Sequence, residues 1–372
     1  MIDYVEIRGS DTEVIGIIDV ARSIIWHSVY YGVGDCEIYT QAKPEMIELL
    51  SVGRYVTRPD NEEVGIIESI NIVTNENDGV MIIASGRFAK SMLDRRIIYN
   101  LTGTRNAATI LNGNVEKAVR AVVGNNAINC SFDSKRNISL LTLGNFSNIP
   151  LIIVDNEGVA AQKQVAFENL LTYTDGVLEE YELSATCKLN GGKFQYIIYR
   201  GNDRSVDNAS GNLPLIFSKE FDNLTASEYL YNATTEKNVA LIGGEGEGVD
   251  QFCSLIAKNE TGLQRRETFI NASSIKKKYK SESGADQEYP ASDYKAMLDA
   301  KGKQDIAALI ATESFSGTID VTNGNYVYGR DFALGDIVTV QDNNIGIYGN
   351  VRIREVTEAQ DENGYTVQVN YQ

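Results

Sequence analysis

Histidine is almost missing from this sequence, His27 being the one example, and that scarcity removes several chemistries at once. HExxH sites and multi-histidine metal sites are excluded, and a Ser-His-Asp triad would have to use His27 itself. His27 sits in Ile24-Ile25-Trp26-His27, read as a strand with no nucleophile motif beside it, so its expected role is structural rather than that of a general base. The four cysteines, Cys36, Cys130, Cys187 and Cys253, lie dozens of residues apart with no CxxC pair. They are read as reduced, small apolar residues, and no metal or cofactor is expected. Only 5 prolines are present, which argues against long disordered linkers. Basic residues are outnumbered, 34 against 51 acidic, and the net charge of -17 opposes binding to phosphate backbones. No apolar run approaches the roughly 20 residues of a membrane-spanning helix. Met1 to Ser10 lacks the basic start and apolar run of a signal peptide, so the product is expected to stay in the cytoplasm where it is made.

What is present describes a folded protein. At 372 residues the chain exceeds one ordinary core, and two to four domains are expected. The 20 tyrosines supply large contact areas with polar tips, which suits subunit interfaces.

Strand and helix periods alternate along the chain. Tyr365, Val367, Val369 and Tyr371 alternate with polar residues, and Val351 to Val356 precedes them across the turn Asp361-Glu362-Asn363-Gly364, predicting a C-terminal hairpin. Gly65 to Val73 and Val80 to Ala84 flank Asn77-Asp78-Gly79, a second hairpin signal. Gly53, Val56, Thr57, Asp60, Asn61, Gly65 and Ile66 have counterparts in Gly335, Val338, Thr339, Asp342, Asn343, Gly346 and Ile347. A single residue of offset is needed, which suggests two related β-barrel domains. Short helices are predicted over Pro44 to Val52, over Val115 to Val123 with Asn114 as cap and Gly124 as terminator, and over Lys163 to Tyr173. A longer one runs from Ser292 past Gly302 to Ile310. Before it, Ser273 to Gln287 reads as a polar loop.

Other motifs fail as catalytic or nucleic-acid sites. Gly243-Gly244-Glu245-Gly246-Glu247-Gly248 looks superficially like a phosphate loop, but Glu245 and Glu247 repel an anion and no Gly-Lys-Ser/Thr follows. Arg265-Arg266 and the triplet Lys276-Lys277-Lys278 fall short of a nucleic-acid surface and are read as ion-paired or solvated. A glycosidase needs only two carboxylates, and the sequence names no such pair.

Several short segments together resemble the siphophage tail proteins of the hub type, a family of phages and prophages of Gram-positive hosts. They are Gly53 to Gly86 with Ser91-Met92-Leu93-Asp94-Arg95-Arg96, Gly201-Asn202-Asp203-Arg204-Ser205, Val239 to Gly248 followed by Gly262 to Glu267, and Tyr328 to Asp336. The resemblance implies a β-rich α+β fold with two tube-like β-barrel domains and intervening α/β and helical segments. The expected organisation is a barrel over 1–100, an α+β domain over 101–200, a second barrel over 201–262 with 313–372, and a loop and helical insertion over 263–312. It also implies a non-enzymatic tail-tip or baseplate hub, a homotrimer that closes the tail tube and contacts tube, distal tail and tape-measure proteins. DNA would pass without specific binding, and no catalytic, cofactor or metal residue is carried over. Since the sequence stops at Gln372 directly after the last strand, no appended lysin or receptor-binding domain is expected. The competing reading is a carbohydrate-binding adhesin using Tyr30, Tyr31, Tyr326 and Tyr328 as an aromatic platform, and a cell-wall hydrolase with paired carboxylates stands third.

Overall fold

The computed structural model describes residues 1–372 apart from 76–78, 156–157, 258, 281–284, 320–325, 345 and 372. Strands dominate, at 44% against 19% helix, as a β-rich α+β chain requires. The chain packs as two compact units, residues 1–228 with 315–372, and residues 229–314.

In the larger unit the two ends of the chain share one sheet. Ser23–Val29 pairs antiparallel with Ile347–Asp361, placing Trp26 opposite Glu358, and also with Asp35–Gln41. Asp35–Gln41 then pairs with Gly79–Arg87, and that strand with Ser69–Asn75. Burial alternates with a period of two: Ile24, Trp26 and Ser28 are buried on one strand, and Cys36, Ile38 and Thr40 on the next. The predicted C-terminal hairpin pairs Ile347–Asp361 with Gly364–Tyr371, and Val367, Val369 and Tyr371 face the core. Replacing Val367 by aspartate is expected to cost about 4 kcal/mol, because an unpartnered carboxylate would enter an apolar cluster. Urea unfolding close to wild type would refute that placement. The Ser69–Asn75 and Gly79–Arg87 hairpin is present, while Asn77 and Asp78 of its turn lie outside the described residues.

In the expected repeat the backbones match at Gly53 and Gly335 but not at Gly65 and Gly346, since Gly65 lies inside the strand Asn61–Ile66 and Gly346 has φ +69° ahead of its strand. Gly53 and Gly335 both adopt left-handed φ, +87° and +88°. Gly53 N donates to Ile67 O at 2.8 Å and Ile67 N to Arg54 O at 2.9 Å; Gly335 N donates to Ile353 O and Ile353 N to Asp336 O, each at 2.9 Å. Each glycine leads into an antiparallel strand pair, Tyr55–Arg58 with Asn61–Ile66 and Ile337–Asp342 with Ile347–Asp361. No sheet of the described residues closes into a barrel.

The packing units differ from the expected boundaries. One apolar cluster runs from Val64, Ile66, Met92 and Leu93 to Val119, Leu170, Phe194 and Ile198, so residue 100 separates nothing. Val64 and Ile66 lie on one face of Asn61–Ile66 and join that cluster, while Val56 and Ile67 join the N-terminal one. Residues 229–262, expected in the second barrel, pack with 263–314 instead. There Ala240, Ile242 and Ile270 of a three-stranded sheet cover Tyr294 and Leu298 of the helix Ala291–Ala307. Gly302 belongs in that helix because a Cβ there would lie 2.6 Å from Ile242 Cγ1.

Two helix expectations need correction. Asn114 does cap Val115–Val123, accepting from Lys117 N at 3.0 Å, but Gly124 keeps right-handed dihedrals and the chain continues as a π turn to Ile128. The buried Asn126 amide holds that turn by donating to Val122 O at 2.9 Å. The next helix is Leu170–Glu180, capped by Asn169, and residues 162–165 form a strand against Thr109–Asn112. Phe167, inside the predicted helix, has φ +63° and is exposed. Ser273 to Gln287 also contains paired strands, Lys278–Lys280 and Asp286–Glu288.

Candidate functional site

The lone histidine lies on Ser23–Val29, its Nδ1 3.1 Å from Asp35 and its Nε2 3.7 Å from Glu355. It lies between carboxylates of the two neighbouring strands. Arg265 pairs with Glu267 and Arg266 with Glu236, while Lys276 pairs with Glu245 and Lys277 with Glu288. The glycine-rich stretch folds over a buried tyrosine: Glu245 N donates to Tyr294 Oη at 2.7 Å, and Lys277 N donates to the Glu245 carboxylate. The Glu245 amide and carboxylate are thus both engaged within the protein. Among the described residues no cluster of His, Cys, Asp and Glu could hold a metal ion.

Cys36, Cys130 and Cys187 are buried and Cys253 is exposed, all four as free thiols. Burial pushes the Cys36 thiol up to about 12, which suits an apolar filler rather than a nucleophile.

The larger unit contains a cleft of about 960 Å3 whose wall includes Ser28, Asp60, Glu62, Glu63, Thr186, Lys188, Tyr199, Tyr326, Tyr328, Glu358 and Tyr365. Behind it, Arg58 and Glu358 form a buried bidentate pair, Nη1 to Oε2 at 3.0 Å and Nη2 to Oε1 at 2.9 Å. Asp60 takes Arg58 Nε at 3.0 Å and Nη2 at 2.7 Å, and Tyr365 Oη donates to Glu358 at 2.6 Å. The guanidinium lies 5.4 Å over the Trp26 ring. Burial alone would lower the Arg58 pKa, but its hydrogen bonds to Asp60 and Glu358 outweigh that and hold the charge. Burial and the Glu358 charge push the Tyr365 phenol above its usual range.

Glu63 is treated differently. Burial raises its carboxyl above the ordinary 4.5, opposed first by a hydrogen bond from Thr186 Oγ1 at 2.9 Å. A carboxyl raised on folding stabilises the fold below its ordinary pKa and loses that contribution as pH rises through the raised value. Glu63→Gln is therefore expected to unfold at higher urea than wild type near pH 7, the difference vanishing below about pH 4.5, the ordinary glutamate value. An equal difference at both pH values would contradict this.

A second junction joins two of the segments singled out in the sequence. Asp336, 1% exposed, accepts from Asn202 N at 2.7 Å, Arg204 Nε at 3.1 Å and Ala333 N at 3.0 Å. Gly201 N donates to Tyr30 Oη at 3.2 Å, and Tyr30 Oη donates to Glu182 O at 3.1 Å. Tyr30 is fully buried and so cannot belong to an exposed aromatic platform, whereas Tyr31, Tyr326 and Tyr328 are half-buried. Sequence reasoning missed Arg58, Glu63 and Glu358 altogether.

The model of the siphovirus ReqiPepy6 Gp37-like protein family matches residues 4–371. The chain belongs to this family. It is thus a phage tail protein, a component of the virion tail. The fold of this tail protein is similar to that of the prophage MuSo2 43 kDa tail protein from Shewanella oneidensis, with a TM-score of 0.59, 12% identity, and 99% and 98% of the two chains covered. It is also similar to the tail protein from Neisseria meningitidis MC58, with a TM-score of 0.55, 13% identity, and coverage of 99% and 96%. Comparison with curated proteins finds no match.

Proposed function

We propose that this chain is a non-enzymatic structural subunit of a tail-tip hub, assembled in the host cytoplasm as a homotrimer that closes the tail tube. The observation that carries this reading is the matching backbone at Gly53 and Gly335, with the same φ and the same pair of hydrogen bonds to Ile67 and Ile353. It supports two related tube-like modules in one chain. A trimer of such chains offers six similar positions, and a six-fold tube ring could stack on them without a change of symmetry. The full-length likeness in fold to two phage tail proteins supports the same reading. The partners are then the tube, distal tail and tape-measure proteins, and the -17 charge keeps passing DNA from adhering.

The absolute mass of the purified protein, measured by light scattering over a concentration series, tests this. Three times the chain mass, with a central channel in negative stain, is the expected result. A monomer at every concentration that binds glycan would overturn it in favour of the adhesin.

A further inference from the structure

We propose that copies of this chain join one another through the open face of the three-stranded sheet in the smaller unit. This deepens the homotrimer reading and rests on it. The strands Cys253–Ile256, Val239–Gly243 and Glu267–Asn271 lie side by side in that order. Ala240, Ile242 and Ile270 pack on Tyr294 and Leu298 of the helix Ala291–Ala307, and Ser254 Oγ donates to Asp299 of the same helix. Successive side chains of a strand point to opposite faces, so Leu241, Cys253, Leu255 and Phe269 turn away from the helix. Leu241 stands directly beside Leu255 on one neighbouring strand and beside Phe269 on the other. The three are 42%, 53% and 55% exposed. With strands about 4.8 Å apart they form one unbroken apolar row across the sheet. Gly243 leaves room for the aromatic ring at its edge, since a Cβ there would lie 2.7 Å from Phe269 Cζ. A sheet face of this kind is ordinarily covered by another layer, and here the helix covers only the opposite one.

Charge points to a second copy as the covering layer. Glu267 is the one charged residue of the three strands, and Arg265 pairs with it. The face therefore offers an oppositely charged partner nothing to recognise, and interfaces between identical chains are of this apolar, charge-poor kind. In residues 229–314, 11 basic residues stand against 13 acidic ones, so the net charge of -17 lies almost wholly in the larger unit. Contact between copies through the larger unit is opposed by that charge, whereas the nearly neutral smaller units meet without it.

The test is light scattering over a concentration series on the full chain, on Leu241→Asp and Leu255→Asp in the row, and on Met297→Asp on the exposed side of the helix. All three positions are exposed, so each variant should unfold in urea as wild type does. Wild type is expected to give three times the chain mass. Each row variant should weaken association at least about 100-fold, because assembly would bury its carboxylate against apolar side chains. Met297→Asp should keep the wild-type mass. Cys253, on the same face as the row, is the one exposed cysteine, the other three being buried. Ellman's reagent should therefore label it slowly in the assembled wild type and at least about ten-fold faster in Leu241→Asp. A wild-type trimer that both row variants preserve would overturn this face and leave the homotrimer reading standing. A wild-type dimer that both row variants dissociate would support the face and overturn the trimer. A wild-type monomer at every concentration, dissociation by Met297→Asp, or equal labelling of Cys253 in wild type and Leu241→Asp would each overturn the proposal.

Discussion

Arg58→Met is expected to destabilise the larger unit by about 3–5 kcal/mol, the cost of leaving a buried carboxylate without its partner. The side chains of Arg58 and Glu358 are 1% and 4% exposed, so water cannot replace the lost charge. Methionine fills much of the arginine volume, and the loss therefore reports electrostatics more than a cavity. The double variant Arg58→Met with Glu358→Gln should recover part of the loss, because the stranded charge is gone. Trp26 is the sole tryptophan and lies under the Arg58 guanidinium, so its fluorescence during urea unfolding follows this unit. A loss below about 1 kcal/mol would mean the pair behaves like a solvated surface bridge.

The second large effect compares the paired glycines. Gly53 and Gly335 share a left-handed φ, and alanine at either position suffers the same backbone strain of about 1–2 kcal/mol. Their surroundings differ. Nothing lies within 4 Å of a Cβ at Gly53, whereas at Gly335 a Cβ would fall 2.2 Å from Tyr30 Cε2. Tyr30 cannot swing away, because it is fully buried and its hydroxyl is tied to Gly201 N and Glu182 O. Overpacking adds roughly 1–3 kcal/mol, so Gly335→Ala should lose about 3 kcal/mol or more and Gly53→Ala about half that. Urea unfolding of the two variants side by side is the check. Equal losses would show that conformation alone, and not the Tyr30 contact, sets the requirement for glycine at 335.

Much of this protein is local in origin and therefore legible along the chain. The alternation Tyr365, Val367, Val369, Tyr371 settles which face of the last strand is buried, because the period of a strand is two. Asn114 announces a helix start because its side chain can satisfy a free amide three residues on. The spacing around Gly53 and Gly335 shows the repeated turn because a φ near +90° favours glycine. Absences were as informative: one histidine excludes multi-histidine metal sites and leaves His27 as the sole base a Ser-His-Asp triad could use.

Arg58 and Glu358 mark where that legibility stops. Each stands two residues after a fully buried valine, Val56 and Val356, so strand period alone puts a charge on an inward face twice. Nothing local says that the two charges meet, since 300 residues separate them and strand pairing between Ser23–Val29 and Ile347–Asp361 builds the sheet that carries Glu358. The same holds for the helix predicted from Lys163, whose first turn is lost because residues 162–165 pair as a strand with Thr109–Asn112. Residues 229–262 likewise carry strand signals that fit either unit, and packing against Tyr294 and Leu298 decides their place. The cleft itself is long-range in the same sense: Ser28, Glu63, Thr186 and Tyr328 come from four distant stretches, and only tertiary structure could put them on one wall. By itself the sequence determined strand phase, caps and turns, which depend on near neighbours. Tertiary structure decided the charge pairs, packing units and cleft, which depend on which distant strands hydrogen-bond.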